Sequence, residues 1–356
     1  MIERSEWLSA ARRVISDRRF AIGLAVLVMV VPTWFAVGTL ITWNRITRVE
    51  SDPDAATETL NSLLAESSDR SGNDDPVDPS ESVNTRPEPI PGVTTFLLVG
   101  SDDRSQLDDL SNFGDFAGRR ADVIVLATID AASQEVRLVS LPRDLVAPDL
   151  CARTEEIRLA DAFSPCESIS ATTMLLLTVE QLTSVGVDHV ATIGLEGFQK
   201  VVDELGGYRI CVDHPVRDLN SGLALDEGCT VADGDQTLAW IRSRRTQELI
   251  DGRWRTISLA NDLIRNERER SFLVTMLGRV IDATNVRQLQ SLAATIAPYV
   301  TVDADLDLAR LIQTGWSMRL LGLDDITTVA IPVVDDTVDG MAVLRPTVDI
   351  VDFLRE

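Results

Sequence analysis

The sequence predicts an α/β domain with helices on both faces of a central mixed sheet, preceded by one transmembrane helix. Three observations carry this expectation. From Thr94 onward, short apolar runs bounded by Gly and Pro alternate with amphipathic stretches of helical length. Two of the runs, residues 121–130 and 135–142, are separated only by Ala131–Gln134, so they read as an antiparallel hairpin and make the sheet mixed. Ahead of them lies Phe20–Trp43, 24 residues without a charged side chain, enough to cross about 30 Å of hydrocarbon.

The charges around that span orient it. Arg4, Arg12, Arg13, Arg18 and Arg19 precede it, and only Arg45 and Arg48 follow closely. Residues 1–19 are therefore expected in the cytoplasm, and everything beyond the span outside. Pro32 is tolerated in a membrane helix as a kink, and Trp43 falls where an interfacial aromatic belongs. The apolar stretch is longer than a signal-peptide core and no clear small-residue cleavage site follows it, which favours a retained anchor in the cell membrane.

Residues 44–92 are acidic, rich in Ser, Asn and Pro, and free of aromatics. They read as a flexible acidic linker, with at most a short helix around Ala55–Leu64. Residues 93–356 then form the extracytoplasmic domain. TTFLLVG (94–100) is a buried strand by length and flanks, and 121–130 and 135–142 form the hairpin. Helical patterns cover 171–186 and 195–207, the second stopped by Gly206-Gly207, before YRICV (208–212) returns to strand. A short helix near Asp235, a longer one over 261–280, two more near 286–297 and 305–321, and a strand over 326–333 complete the series.

All four cysteines, Cys151, Cys166, Cys211 and Cys229, fall in the outer domain, where disulfides persist. More than one connectivity is open; the local pairs Cys151–Cys166 and Cys211–Cys229 close the shortest loops and are favoured. Zinc is the competing use, weakened by the lack of any CxxC and by only two histidines, His189 and His214.

With 56 acidic against 33 basic residues the net charge is −23, which argues against nucleic acid as a partner. Against that background, arginine and aspartate recur together at strand ends. They are Gly100-Ser101-Asp102-Asp103-Arg104, Arg119-Arg120-Ala121-Asp122 and Leu141-Pro142-Arg143-Asp144. One such turn is ordinary surface. Recurrence at successive connections, where open α/β sheets bind ligands, points to an anion site with a metal. Two Arg tracts follow, Ile241–Arg245 and Asp262–Phe272; in the second, Arg265, Arg268 and Phe272 share one helix face. A solvated face is the plain reading, yet Arg is the residue for bidentate phosphate recognition. The absence of a Walker loop, GxGxxG and GxSxG disfavours Rossmann enzymes and serine hydrolases.

Taken in order, GSDDR (100–104), RADV (120–123), SLPRD (140–144), GFQKVVDELGGYRI (197–210), TLAWIRSR (237–244) and DLIRNERERSF (262–272) resemble the landmarks of the LytR-CpsA-Psr family, from about Thr94 to Arg279. The paired cysteines and Gly252–Trp254 look like its actinobacterial branch. The resemblance implies an α/β/α sandwich with an apolar tunnel for a polyprenyl chain and a mouth holding Mg²⁺ (or Mn²⁺) and pyrophosphate. Carried over by position, Asp102 and Asp122 would bind the metal, and Arg104, Arg120, Arg143, Arg242, Arg244, Arg265 and Arg268 would grip the pyrophosphate. Asp102, Arg104, Asp122 and Arg143 would form the catalytic group, with Asp144 orienting Arg143 through an ion pair. The helix faces 171–185 and Phe198–Leu205 are candidates for the tunnel wall as well as for ordinary core.

The implied activity moves a phosphoglycan from a polyprenyl-pyrophosphate-linked donor to peptidoglycan at the membrane surface. The rival expectation is a non-catalytic envelope scaffold or polyprenyl-lipid-binding protein. The family's older label of transcriptional attenuator is disfavoured by the outer placement and the acidic charge. Three stretches depart from the family pattern: Arg158-Leu159-Ala160-Asp161-Ala162-Phe163 lacks a following Gly pair, Arg268-Glu269-Arg270 replaces an R-Q-Q, and Val190 replaces a Tyr. These bear on acceptor choice and rate, and leave the metal and phosphate positions intact.

Overall fold

The computed structural model describes residues 38–70, 86–102, 120–130, 132–151, 154–243, 245–257, 268, 271–272, 274–276, 278–279, 291, 293–307 and 325–355. Most of the expected span Phe20–Trp43 and of the helix expected over 305–321 lie outside these residues. No helix among the described residues is long and apolar enough to cross a membrane. The chain divides into two compact units, Met1–Arg45 and Ile46–Glu356. In the first, residues 38–43 are helical; all that follows concerns the second.

In chain order, its first half contains β1 (Thr47–Val49), α1 (Pro53–Arg70), β2 (Val93–Ser101), β3 (Ala121–Asp130), β4 (Glu135–Leu141), β5 (Val146–Pro148) and β6 (Glu156–Arg158). Next come α2 (Ala171–Thr183), β7 (His189–Ile193), α3 (Leu195–Glu204), β8 (Tyr208–Val212), β9 (Val216–Asp218), β10 (Leu223–Leu225) and β11 (Gly228–Ala232). The remainder is α4 (Gly234–Arg242), β12 (Gln247–Ile250), β13 (Arg253–Thr256), β14 (Val300–Asp303), β15 (Ile326–Ala330), β16 (Val333–Val338), β17 (Met341–Pro346) and α5 (Ile350–Arg355).

A seven-stranded sheet in the order β1-β14-β7-β2-β3-β4-β15 forms the centre. β3 is antiparallel to both neighbours, whereas β7 is parallel to β2 and β15 to β4, so the sheet is mixed as expected. Alternation along its strands separates two apolar faces. Leu97, Val99, Ile124, Leu126, Val139 and Leu141 join a core with Met174, Leu175 and Val179 of α2. Val125, Ala127, Val136 and Leu138 form a cluster on the other face with Phe96 and Leu98. α2 starts where the Ser170 hydroxyl accepts from the Thr173 N–H at 3.2 Å, and it ends at Ser184 in left-handed backbone.

The stretch expected as a flexible linker with at most a short helix around Ala55–Leu64 carries a longer helix there, α1, and packs on the domain where it is described. β1 pairs in parallel with β14 at the edge of the sheet, and α1 sends Ala56 and Leu60 into the main core. Arg86 donates from Nε and Nη2 to the buried Glu180 carboxylate at 2.9 and 2.8 Å, and from Nη1 to Asp54 at 3.0 Å. Average composition hid this. A few apolar side chains, one edge strand and a buried ion pair hold a segment whose remaining residues are polar.

A second core gathers Val202, Tyr208, Ile210, Val216, Leu223, Ala239, Phe272 and Met276 from α3, the short strands β8–β10, α4 and the helical residues beyond 268. α3 and α4 approach so closely at Gly234 that a Cβ there would sit 2.5 Å from the Gln199 carbonyl oxygen. Both expected disulfides are formed, Cys151–Cys166 and Cys211–Cys229, and no cysteine is left for zinc. Cys211 and Cys229 face each other across β8 and β11.

Candidate active site

Because β3 runs antiparallel to both neighbours, the end of β2, the start of β3 and the end of β4 lie together at one end of the strands of the central sheet. Of the residues singled out in the sequence, Asp102, Arg120, Asp122, Arg143 and Asp144 sit here. Gly100 pairs with Val123 and Ser101 with Ala121, so Asp122 is an extra residue in a β-bulge. A bulge breaks the two-residue alternation and re-aims side chains. Its effect is visible in Ala121, which enters the same core as Ile124 although three positions separate them. Beyond the bulge, the Arg120 N–H donates to Asp102 Oδ1 at 2.7 Å, and the Asp102 N–H donates to the Arg120 carbonyl at 3.0 Å.

Arg143 is held from two sides. Its Nη1 donates to Asp122 Oδ1 at 2.5 Å and its Nε to Asp144 Oδ2 at 3.3 Å. Burial works against its charge, but Asp122 and Asp144 outweigh that and keep the guanidinium above its usual pKa. The alternation of charge continues: Arg158 Nε lies 3.8 Å from Asp144 Oδ1 and donates to the Ala342 carbonyl of β17 at 3.0 Å. Arg120, half exposed, lies 3.8 Å from Asp161. Residues 158–161 entered the sequence reading only as a departure from a motif. The structure makes them the outer rim of the same cluster, tied down where the Ala160 N–H donates to the Arg143 carbonyl at 2.8 Å.

Among the described residues, no group of three or more His, Cys, Asp or Glu side chains is arranged to hold a metal. What the strand ends offer is two carboxylates, Asp102 and Asp122, flanking the Ser101–Ala121 pair. That donor set fits a hard cation such as Mg²⁺, which takes one or two protein carboxylates and completes its octahedron with phosphate oxygens and water. It does not fit zinc, which prefers nitrogen and sulfur.

Arg104, Arg244 and Arg265 fall outside the described residues. Arg242 is half-buried at the C-terminal end of α4. Arg268 stacks over the Trp240 ring at 3.7 Å and donates from Nη1 to the Trp240 carbonyl at 3.2 Å and to Thr246 Oγ1 at 3.4 Å. Burial pushes its pKa down to about 10, with the charge of Asp218 acting the other way. Phe272 lies 4.9 Å from Phe198 and 5.4 Å from Tyr208, so the face shared by Arg268 and Phe272 turns inward. Of the helix faces named as tunnel walls, Met174, Leu175 and Val179 pack in the main core, and Phe198 and Leu205 pack against the second core.

The model of a family described as the LytR_cpsA_psr family matches residues 57–354. The probable cell wall biosynthesis protein LcpB of Corynebacterium glutamicum is 30% identical over 191 residues, covering 52% of this chain and 41% of that protein. The polyisoprenyl-teichoic acid–peptidoglycan teichoic acid transferase TagU of Oceanobacillus iheyensis is 23% identical over 249 residues, 70% of each chain. The chain thus spans less than half of LcpB but more than two thirds of TagU. Among solved structures, the LytR-Csp2A-Psr enzyme from Actinomyces oris superposes with a TM-score of 0.59 at 27% identity, over 74% of this chain and 88% of that one.

Proposed function

Since this chain belongs to the LytR-CpsA-Psr family, whose model matches residues 57–354, we propose that it is a cell-wall glycopolymer ligase. In this reading it moves a phosphoglycan from a polyprenyl-pyrophosphate lipid to peptidoglycan. The observation that carries the reading is Arg143, fixed between Asp122 and Asp144 beside the bulged strand end, with Asp102 and Arg120 adjoining. The name of TagU, a transferase between a polyisoprenyl-linked polymer and peptidoglycan, supports the same substrate class.

The chemistry asked of the protein is mainly positioning and charge neutralisation. Arg143, Arg120, Arg242 and Arg268 bind the non-bridging oxygens of the pyrophosphate, joined by Arg104, Arg244 and Arg265. A hydroxyl oxygen of the acceptor forms a bond to the glycan-proximal phosphorus. The bond from that phosphorus to the bridging oxygen breaks, and polyprenyl monophosphate leaves, taking up the proton that the hydroxyl gives up. Asp102 and Asp122 would hold Mg²⁺, which when bound would further neutralise the phosphate charge. Asp144 acts through Arg143, keeping its fork in one orientation. Residues 1–19 are cytoplasmic, Phe20–Trp43 is the membrane anchor, and the folded unit works on the outer side, in keeping with the two disulfides.

The test is a transfer assay with the full chain, a polyprenyl-pyrophosphate-linked glycan, peptidoglycan fragments and Mg²⁺, reading polyprenyl monophosphate released and glycan gained by the acceptor. Arg143→Ala should lower turnover by about 10²–10³, the range for removing one preorganised donor to a developing charge. Chelation of Mg²⁺ should abolish it. Donor binding without release in the native protein would instead make it a polyprenyl-lipid-binding protein. Unchanged turnover in Arg143→Ala would remove the site.

A further inference from the structure

Outside the strand-end cluster, one carboxylate is buried beside the arginine tract without any part in the mechanism above. Asp218 closes β9 and is 2% exposed. Its Oδ2 accepts from the Ser243 hydroxyl at 2.8 Å and from the Arg245 N–H at 2.9 Å; its Oδ1 accepts from the Asn220 N–H at 2.9 Å. Ser243 and Thr246 hydroxyls lie 2.7 Å apart, so Ser243, the Arg245 N–H and Thr246 gather at this carboxylate. Thr246 in turn accepts from Arg268. A buried carboxylate is costly unless it is hydrogen-bonded and charge-balanced. Here the backbone and hydroxyl donors meet the first need and the Arg268 charge the second. Those donors also hold the Asp218 carboxyl below its usual pKa against the effect of burial.

We infer that Asp218 is a positioning residue for pyrophosphate binding, fixing the Ser243–Thr246 turn and through it the placement of Arg242 and Arg268. The inference rests on the ligase reading for the identity of the ligand, not for the geometry. Asp218 touches no reacting atom. It sets where two guanidinium groups stand, one at the end of α4 and one stacked on Trp240. Loss of its charge leaves the fold's apolar contacts in place and loosens the tract.

The experiment measures binding of inorganic pyrophosphate with Mg²⁺ to the full chain by titration calorimetry, with transfer kinetics and melting curves in parallel. Asp218→Asn, nearly isosteric, should melt cooperatively and bind pyrophosphate about tenfold more weakly or worse, the usual scale for losing charge-assisted hydrogen bonds. In transfer kinetics the same variant should raise KM for the donor more than it lowers kcat. A double-mutant cycle with Arg268→Gln should be non-additive, because residues acting through one another share their effect. A purely structural carboxylate would give additive losses. If Asp218→Asn does not fold, Ser243→Ala, which removes one donor and keeps the charge, should weaken pyrophosphate in the same direction.

The outcomes separate. Native protein that binds pyrophosphate, weakened by Asp218→Asn but with no transfer, overturns the ligase reading and upholds Asp218. Transfer in the native protein with unchanged affinity in Asp218→Asn, or in Ser243→Ala where that variant is used, or strictly additive effects with Arg268→Gln, overturns Asp218 alone. Native protein that does not bind pyrophosphate overturns both.

Discussion

Arg143 commits Nη1 to Asp122 at 2.5 Å and Nε to Asp144 at 3.3 Å, which fixes the plane of its guanidinium. A lysine would keep the positive charge there but lose the planar fork that two carboxylates and a phosphate can share. Arg143→Lys is therefore expected to lower transfer by about tenfold or more while the protein still folds, a difference read by single-turnover kinetics beside a melting curve. Near-native turnover would mean that charge alone suffices. The sequence made the grouping of Asp102, Asp122, Arg143 and Asp144 legible because each lies within two residues of an opposite charge at a strand end. It did not reveal Asp218, whose partners lie up to 27 positions along the chain and include backbone N–H groups. Nor did it reveal Arg158 and Asp161 as rim residues, because their contacts cross to Asp144 in the loop after β4, to β17 and to Arg120 just before β3.

At the scale of elements, long apolar runs were legible and short polar ones were not. The strand expected over 121–130 and the one over 208–212 have those bounds, and the hairpin partner is Glu135–Leu141. Their alternation is dense enough to outweigh any local ambiguity. The strands β9, β10, β12 and β13 have three or four residues each, and β9, β12 and β13 include Arg, Asp or Gln. Nothing in so short a pattern distinguishes strand from turn. α1 is the instructive case: an acidic, Ser-containing segment whose Leu60 is 1% exposed. Leu60→Ala should destabilise the domain by about 2–5 kcal/mol, the range for truncating a buried leucine, measured by urea unfolding. A change below about 0.5 kcal/mol, the scale of surface substitutions, would return this segment to the role of a tether.

The whole molecule combines a mixed sheet, a charged strand-end cluster and a chain that carries a net −23. The proposed orientation in the membrane rests on the arginine bias around Phe20–Trp43. Protease added to intact cells whose wall has been removed should cut the folded unit and spare residues 1–19; protection of the folded unit would reverse the topology. The measurement that bears most directly on the site is a crystal structure of the protein with polyprenyl pyrophosphate and Mg²⁺. We predict a pyrophosphate between Asp102, Asp122 and Arg143, with the ion on the two carboxylates. A pyrophosphate bound elsewhere, with Arg143 still closed on Asp122 and Asp144 and touching no phosphate oxygen, would contradict it.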